Sequence, residues 1–362
     1  MGININTKEL IEILDCTPSE QNIMLVGRHG IGKTEILTDY YKNKGMKVVA
    51  LFLGQMSDPG DLIGLPFKDT QESTDNYRTN FMPPYWFPVD GQPIVLFLDE
   101  LNRARPEILQ TIMDLALNRK LAGRRLPEGS RIISAVNAGE EYQLTDLDPA
   151  LVSRFNIYNF RPTVQEWLVW AEKNRLDERV TTFIQTESIW LDGNEGQKEG
   201  VDTGLEKTPD RRAWKKVSDI MENVVEPGEV HKKLVAGVVG APAAARFFGS
   251  ITGKKVLTGV EVLTSFEKHK KALQKYRLHQ LSIVNESIFR HLEVGDIAEE
   301  QKPVYAENLT AYYTLLESSG NKEAIAHFAS CFERGQYQSA ILFILDNTPR
   351  IYNKLMAFIS NL

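Results

Sequence analysis

Apolar positions fall in short unbroken blocks through the first 160 residues and at helical spacing after them. Residues 8–15 carry apolar side chains at helical intervals, and Thr17-Pro18 breaks that pattern before the block Ile23-Met24-Leu25-Val26. Gly27 follows the block, residues 34–44 resume helical spacing up to Gly45, and a second block occupies residues 48–53. Strand, loop, helix and strand joined this closely form a βαβ unit, so the two strands are expected to be parallel. The third and fourth blocks, residues 94–98 and 131–136, show no clean alternation of apolar and polar positions. Both therefore read as strands covered on two faces. Beyond Phe160 the stretches 165–185, 212–224, 230–239 and 241–251 are helical, and the polar, Gly-rich segment 192–204 reads as a mobile loop. Helical spacing continues over 262–362 with breaks near Gly295, Gly320 and Thr348-Pro349. The pattern predicts an α/β domain with a parallel sheet, followed by an all-helical half.

Composition leaves that picture intact and narrows the function. With 362 residues, 42% hydrophobic and 25% charged, the chain has the make-up of a folded protein of two or three units. Lys and Arg number 42 against 48 Asp and Glu, a net charge of −6 that offers no global attraction to a polyanion such as DNA. The block at 48–53 is far shorter than the ~20 apolar residues that cross a bilayer, so no membrane partner is expected. The start, Met1-Gly2-Ile3-Asn4-Ile5-Asn6, lacks a basic-then-apolar leader, and Asn6 stands where the myristoylation pattern needs Ser or Thr. Cys16, Cys331 and six scattered histidines supply neither a disulfide framework nor a four-ligand zinc pattern. A reduced, cytoplasmic location is the expectation.

Candidate chemistry gathers at the strand ends. Gly27-Arg28-His29-Gly30-Ile31-Gly32-Lys33-Thr34 fits G-x-x-x-x-G-K-[ST] between an apolar strand and a helix, the context a phosphate-binding loop requires. Its glycines let backbone N–H groups curl around phosphate oxygens, and the helix start adds partial positive charge. Lys33 would neutralise the β- and γ-phosphates and Thr34 would ligate Mg²⁺. These eight residues, with Glu35 after them, are the candidate ATP contacts. The third block ends in Asp99-Glu100, at the carboxyl edge where α/β sheets bind ligands. Beside a phosphate loop, Asp99 is the candidate Mg²⁺ holder and Glu100 the group that orients and deprotonates an attacking water. A carboxylate directly after the metal-binding one favours hydrolysis over transfer to a second substrate. The fourth block ends at Asn137, and Arg154 closes a short helix-like stretch; alone, the first is as readily a turn former and the second a surface charge.

The order phosphate loop, Asp-Glu strand, Asn strand and Arg-Phe resembles the AAA+ ATPase core. Several further segments resemble MoxR-type AAA+ proteins: Pro59-Gly60-Asp61-Leu62-Ile63-Gly64, Phe81-Met82-Pro83-Pro84-Tyr85-Trp86-Phe87-Pro88, Leu98-Asp99-Glu100-Leu101-Asn102-Arg103-Ala104 and Arg124-Arg125-Leu126-Pro127-Glu128-Gly129. With Gln165-Glu166-Trp167-Leu168-Val169-Trp170-Ala171 and Val235-Ala236-Gly237-Val238-Val239-Gly240, the resemblance runs in order over residues 20–265. It implies a P-loop NTPase domain at 1–160, an α-helical lid at 161–260 and a helical C-terminal extension at 261–362. It makes Asp99 and Glu100 the second ATP motif, Asn137 sensor 1, and Arg154 an arginine finger reaching a neighbouring subunit. A homo-hexameric ring follows, in which the borrowed arginine is worth ~10³–10⁵ in rate. Sensor 2 departs from the usual Thr/Ser-Pro-Arg-x-Trp: here Thr208-Pro209-Asp210-Arg211-Arg212-Ala213-Trp214 is two residues longer. Counting back from Trp214 selects Arg212, with Arg211 as its substitute. Ile13, Leu14 and the lid would wall the adenine. The implied activity is Mg-ATP hydrolysis driving chaperone-like remodelling of a protein client, often a von Willebrand factor A-domain partner.

Two rival readings share the ATP residues: a DNA-directed AAA+ motor or helicase loader, and a nucleotide-dependent scaffold that does not hydrolyse. The run Lys268-His269-Lys270-Lys271 with Lys275 and Arg277 lacks interleaved aromatics, so it reads as a solvated helix face and not as a nucleic-acid site. Residues 56–92 resemble a helix-2 insert and residues 119–130 the hairpin before sensor 1. Tyr85, Trp86 and Phe87, flanked by prolines, read as anchors of their own loop before grips for a polypeptide.

Overall fold

The four apolar blocks lie in one parallel sheet in a computed structural model that describes residues 2–68, 79–137, 147–193, 207–251, 256–294, 297–333, 335 and 337–360. The chain divides into the compact units Met1–Thr163 and Val164–Leu362. In the first, the order is β1 (Ile3–Ile5), α1 (Thr7–Cys16), β2 (Asn22–Gly27), α2 (Lys33–Asn43), β3 (Lys47–Phe52), α3 (Gly60–Ile63), β4 (Leu65–Lys68), β5 (Thr79–Met82) and β6 (Ile94–Asp99). There follow α4 (Pro106–Asn118), β7 (Lys120–Leu121), β8 (Arg124–Arg125), β9 (Arg131–Asn137), α5 (Pro149–Val152) and β10 (Phe155–Phe160). The main sheet runs β1-β10-β2-β9-β6-β3 with every pairing parallel, while β4 pairs with β5 and β7 with β8 antiparallel.

Successive side chains of a strand face opposite ways, and β6 shows what that requires here. Val95 and Phe97 pack with Leu10, Leu25, Leu37 and Ala135 on one face. Ile94, Leu96 and Leu98 pack with Ile108, Ile112 and Ile132 on the other. Both faces are covered, which is why the block carries no alternation. The strands β1, at one edge, and β10, beside it, escape that demand. In β10 only Phe155 and Phe160 are buried, and β1 is mostly exposed, so neither leaves an apolar block in the sequence. A capping box between Asn6 and Glu9 starts α1. Trp86 and Phe87 are buried in the core on the β6–α4 side, as anchors should be, whereas Tyr85 is exposed.

The second unit holds α6 (Val164–Lys173), α7 (Glu178–Thr186), α8 (Arg211–Met221), α9 (Glu229–Val239), α10 (Ala241–Ile251), α11 (Gly259–Leu273), α12 (Leu278–Val294), α13 (Lys302–Ser318), α14 (Lys322–Glu333), α15 (Gln338–Asn347) and α16 (Pro349–Ile359), with no strand among its described residues. The stretch 165–185 is two helices, because Arg175 adopts φ 54° and the Asp177 side chain caps α7 by accepting from Arg179 N. Two cores form. Trp167, Phe183, Trp214 and Phe247 fill one, and Phe266, Phe289, Phe328 and Ile344 belong to the other. Most of the Gly-rich segment expected to be a loop, and Gly295, lie outside the described residues. The basic run lies on and just after α11, largely exposed, with Lys270 paired to Glu267. No helix among the described residues is long and apolar enough to cross a membrane.

Gly259 shows how closely α11 and α12 approach: a Cβ there would sit 2.5 Å from the backbone of Ser287 and Ile288. Its N–H donates to Ser287 Oγ at 2.7 Å. Gly259→Ala is therefore expected to lower the unfolding free energy of the helical unit by about 1–3 kcal/mol. Urea denaturation followed by circular dichroism measures this, and an unchanged midpoint would contradict the close packing.

Candidate active site

Gly27 ends β2 and has to be glycine, since a Cβ there would lie 2.8 Å from both Phe160 O and Ile31 Cδ1. Gly30 and Gly32 then adopt φ of 76° and 90°, a left-handed region that side chains disfavour. The α2 helix opens at Lys33 behind Gly32, with no side chain capping its start. Its first N–H groups are thereby left to a ligand, the arrangement that suits an anion. Ile31 is buried beneath the loop, Arg28 is half-buried, and His29 and Glu35 are exposed.

Lys33 is the buried cation of this loop, 6% exposed. Its Nζ donates to Gly27 O and Arg28 O at 2.9 Å each and to Asn137 Oδ1 at 3.0 Å. Burial pulls its pKa down to about 8, against the opposing pull of the Asp99 and Glu100 carboxylates. Thr34 Oγ1 donates to Asp99 Oδ2 at 3.2 Å, and Glu100 N donates to Asp99 Oδ1 at 2.9 Å. The all-oxygen donor pair of Thr34 and Asp99 suits Mg²⁺. Strand order explains the convergence: β9 runs between β2 and β6, and Asn137 is the register partner of Gly27.

Glu100 takes φ 56°, and its Oε1 accepts from Arg103 Nη1 at 2.9 Å. Gly54 stands behind it, where a Cβ would come within 3.0 Å of Glu100 Oε2. Two residues that motif spacing did not single out join the group. Besides Arg103, Asn102 is buried, with Nδ2 donating to Asn137 O at 3.2 Å and Oδ1 buried without a hydrogen-bond partner among the described residues. The available signal was a pair of polar residues directly after the Asp-Glu step, in a turn that an apolar residue, Leu101, otherwise anchors.

Arg154 is not part of this convergence. It precedes Phe155, which pairs with Asn22 at the opening of β2, whereas the loop follows Gly27 at the end of that strand. Five residue steps of about 3.3 Å separate the two ends by roughly 17 Å. Asn22 Nδ2 donates to Arg154 O at 3.1 Å, and the Arg154 guanidinium donates to Ala150 O. Arg211 and Arg212 lie in the second unit: Arg211 is buried against Asp192 through two bonds of 2.9 Å, while Arg212 is exposed on α8. Ile13 is half-buried and Leu14 fully buried on α1.

Residues 22–155 match the family model of the AAA domain (dynein-related subfamily), a span that contains the loop, Asp99, Glu100, Asn137 and Arg154. A protein named "Putative chaperone BssE" from Thauera aromatica is 25% identical over 178 residues, covering 46% of this chain and 59% of that protein. The chain thus matches less than two thirds of that relative's length. Both findings support the resemblance to MoxR-type AAA+ proteins. Among solved structures, the RuvB Holliday junction branch migration motor of Thermotoga maritima aligns at TM-score 0.37 and 12% identity, covering 87% of each chain. NtrX from Brucella abortus aligns at TM-score 0.38 and 15% identity, covering 88% of this chain and 69% of its own. Likeness at that level carries no argument about activity.

The depressed pKa of Lys33 has a sign that can be measured. Between about 8, its folded value, and 10.5, its ordinary one, the unfolded chain holds the extra proton, so stability rises with pH across that window. Below about 8 the buried cation exacts its full cost. The difference in unfolding free energy between the chain and Lys33→Met is expected to climb by up to about 1.4 kcal/mol per pH unit from pH 8 to 10. Denaturant titrations without nucleotide across that range would show it, and a flat difference would refute it.

Proposed function

We propose, from the premise that residues 22–155 make this chain an AAA+ protein, that it is a MoxR-type ATPase. It binds Mg-ATP, hydrolyses it as a homo-hexameric ring and remodels or matures a protein client. The observation that carries this reading is the junction of Lys33, Thr34, Asp99 and Asn137 at the carboxyl edge of three strands.

The N–H groups of residues 27–34 and the Lys33 ammonium receive the β- and γ-phosphates, whose charge strengthens the cation that burial weakens. Thr34 and Asp99 would hold Mg²⁺, which would supply charge neutralisation to the bound phosphates. Asn137 spends its Oδ1 on Lys33, which leaves its Nδ2 for the γ-phosphate and the water beside it. Glu100 takes the proton of that water once its carboxylate is turned from Arg103. Arg154, about 17 Å along the strand from its own loop, serves the site of the adjoining copy, where its guanidinium stabilises the charge of the transferred phosphoryl group. Head-to-tail contacts of this kind close into a ring. Arg212 is the sensor 2 residue, since Arg211 is committed to Asp192.

Residues 161–260 act as the lid and 261–362 as an extension, and hydrolysis shifts the lid angle to move the client. The name of the Thauera relative supports a chaperone-like role, and a von Willebrand factor A-domain protein in the cytoplasm is the client class that the MoxR resemblance implies. Strong stimulation of the ATPase by DNA would favour the motor reading instead, and nucleotide-driven assembly without phosphate release would favour the scaffold.

Glu100→Gln is expected to keep ATP affinity within a few-fold of the native chain and to stop turnover; phosphate release at the native rate would remove Glu100 from its role. Arg154→Ala is expected to lose about 10³-fold or more in rate. Mixing it with Lys33→Met subunits that retain Arg154 is expected to restore part of the activity, and failure of that complementation would end the case for a borrowed arginine.

A further inference from the structure

Away from the loop, α12 and α14 bring three metal-ligating side chains together in the core of the second unit. Glu286 lies on α12; His327 and Cys331, four residues apart, share one face of α14. One donor atom from each lies within 4.8 Å of the other two. His327 stands between its partners, with Nε2 3.8 Å from Glu286 Oε1 and Nδ1 3.8 Å from Cys331 Sγ. Cys331 is fully buried and Glu286 nearly so, while the His327 side chain keeps 24% of its exposure.

We propose that Glu286, His327 and Cys331 form a zinc site that ties α12 to α14. Thiolate, imidazole and carboxylate together are the donor set of a borderline-soft, tetrahedral cation, and zinc accepts all three. Ligands about 2.0–2.3 Å from a common centre sit about 3.5 Å from one another, so closure asks for roughly 1 Å of contraction. The half-exposed ring of His327 provides it by turning one nitrogen towards both partners. Three protein ligands leave a fourth position, which water reaches from the open side of His327. Cys331 enters as the thiolate, its proton passing to solvent.

The surroundings are built as ligand supports are. Gln165 Nε2 and Gln185 Nε2 donate to Glu286 Oε2 at 3.4 and 3.3 Å, leaving Oε1 as the oxygen turned towards His327. Such outer hydrogen bonds orient a ligating carboxylate. Arg290 is ion-paired with the same carboxylate on its other oxygen, Nη1 standing 3.8 Å from Oε2, with no hydrogen bond from its buried Nε or Nη1 among the described residues. Arg290 Nη2 instead donates to Gln185 Oε1 at 2.7 Å, fixing the amide that holds Glu286. Phe289 meets Phe328 edge-on at a centroid distance of 4.8 Å and lies tilted against Tyr337 at 5.7 Å, in the same apolar core as Cys331.

The test uses the full chain with the exposed Cys16 changed to Ser, so that Cys331 is its single thiol. Stripped by a chelator and titrated with Co²⁺ in the absence of nucleotide and Mg²⁺, it is expected to take up a single equivalent. A thiolate-to-cobalt charge-transfer band should appear, and Zn²⁺ should bleach it. In the same background Cys331→Ser and His327→Gln are expected to abolish the band. Gln185→Ala is expected to weaken Zn²⁺ affinity about 10- to 100-fold. Should Cys331→Ser fail to fold, Glu286→Gln, isosteric with the native side chain, carries the test through a loss of Zn²⁺ affinity of about tenfold or more. Absence of the band in the folded parent, or a band that survives both ligand variants, would overturn the site.

Discussion

A lysine ammonium buried beneath a glycine loop is the constraint around which the first unit is arranged. Taking a cation out of water costs several kcal/mol unless oxygen atoms replace the hydration shell. Lys33 finds three: two loop carbonyls and the Asn137 amide oxygen. They do not replace water fully, which is why its pKa falls to about 8 with Asp99 and Glu100 nearby. The shortfall is useful. An anion entering the loop would complete what the protein leaves incomplete, so part of the binding energy is stored as destabilisation of the empty site.

Supplying that third oxygen determines much of the topology. Asn137 reaches Lys33 only because β9 lies beside β2 and ends level with Gly27. Asn102 in turn holds the Asn137 carbonyl, linking the turn after β6 to the end of β9. The same turn carries Glu100 in a left-handed conformation beside Gly54, so the carboxylate is placed by backbone geometry before any ligand arrives. Movement at one of these groups has a direct path to the others through hydrogen bonds of 3.2 Å or shorter.

Much of this was legible in the chain. Blocks buried on two faces announce themselves, as β2, β6 and β9 did, the edge strand β3 was visible as an apolar run, and the loop motif marked Gly27 to Thr34. The strands β1 and β10 did not, because most of their residues are exposed or only half-buried and therefore tolerate Asn and Tyr. The break inside residues 165–185 was hidden for another reason: a single left-handed Arg175 stops a helix without altering the apolar spacing around it. Arg103 was invisible as a partner of Glu100, since an arginine three residues after a glutamate is ordinary on any surface. The cluster of Glu286, His327 and Cys331 escaped for want of sequence proximity: two members are four residues apart, but Glu286 belongs to another helix, and the cysteine count argued against a four-ligand zinc pattern.

Sheet geometry adds a requirement that no single residue reveals. The groups proposed to engage phosphate stand at the carboxyl edge, and Arg154 stands at the amino edge with its main chain fastened by Asn22. A sheet strand is rigid along its length, so no rotamer change moves a guanidinium across about 17 Å of it. Asn22 also holds Ala116 O and receives Arg119, which ties the amino edge to α4 and leaves that edge little freedom to rearrange. In the proposed ring, Arg154 would serve the phosphate of an adjoining copy set against this amino edge. Strand length would then be what makes the proposed activity depend on the contact between copies.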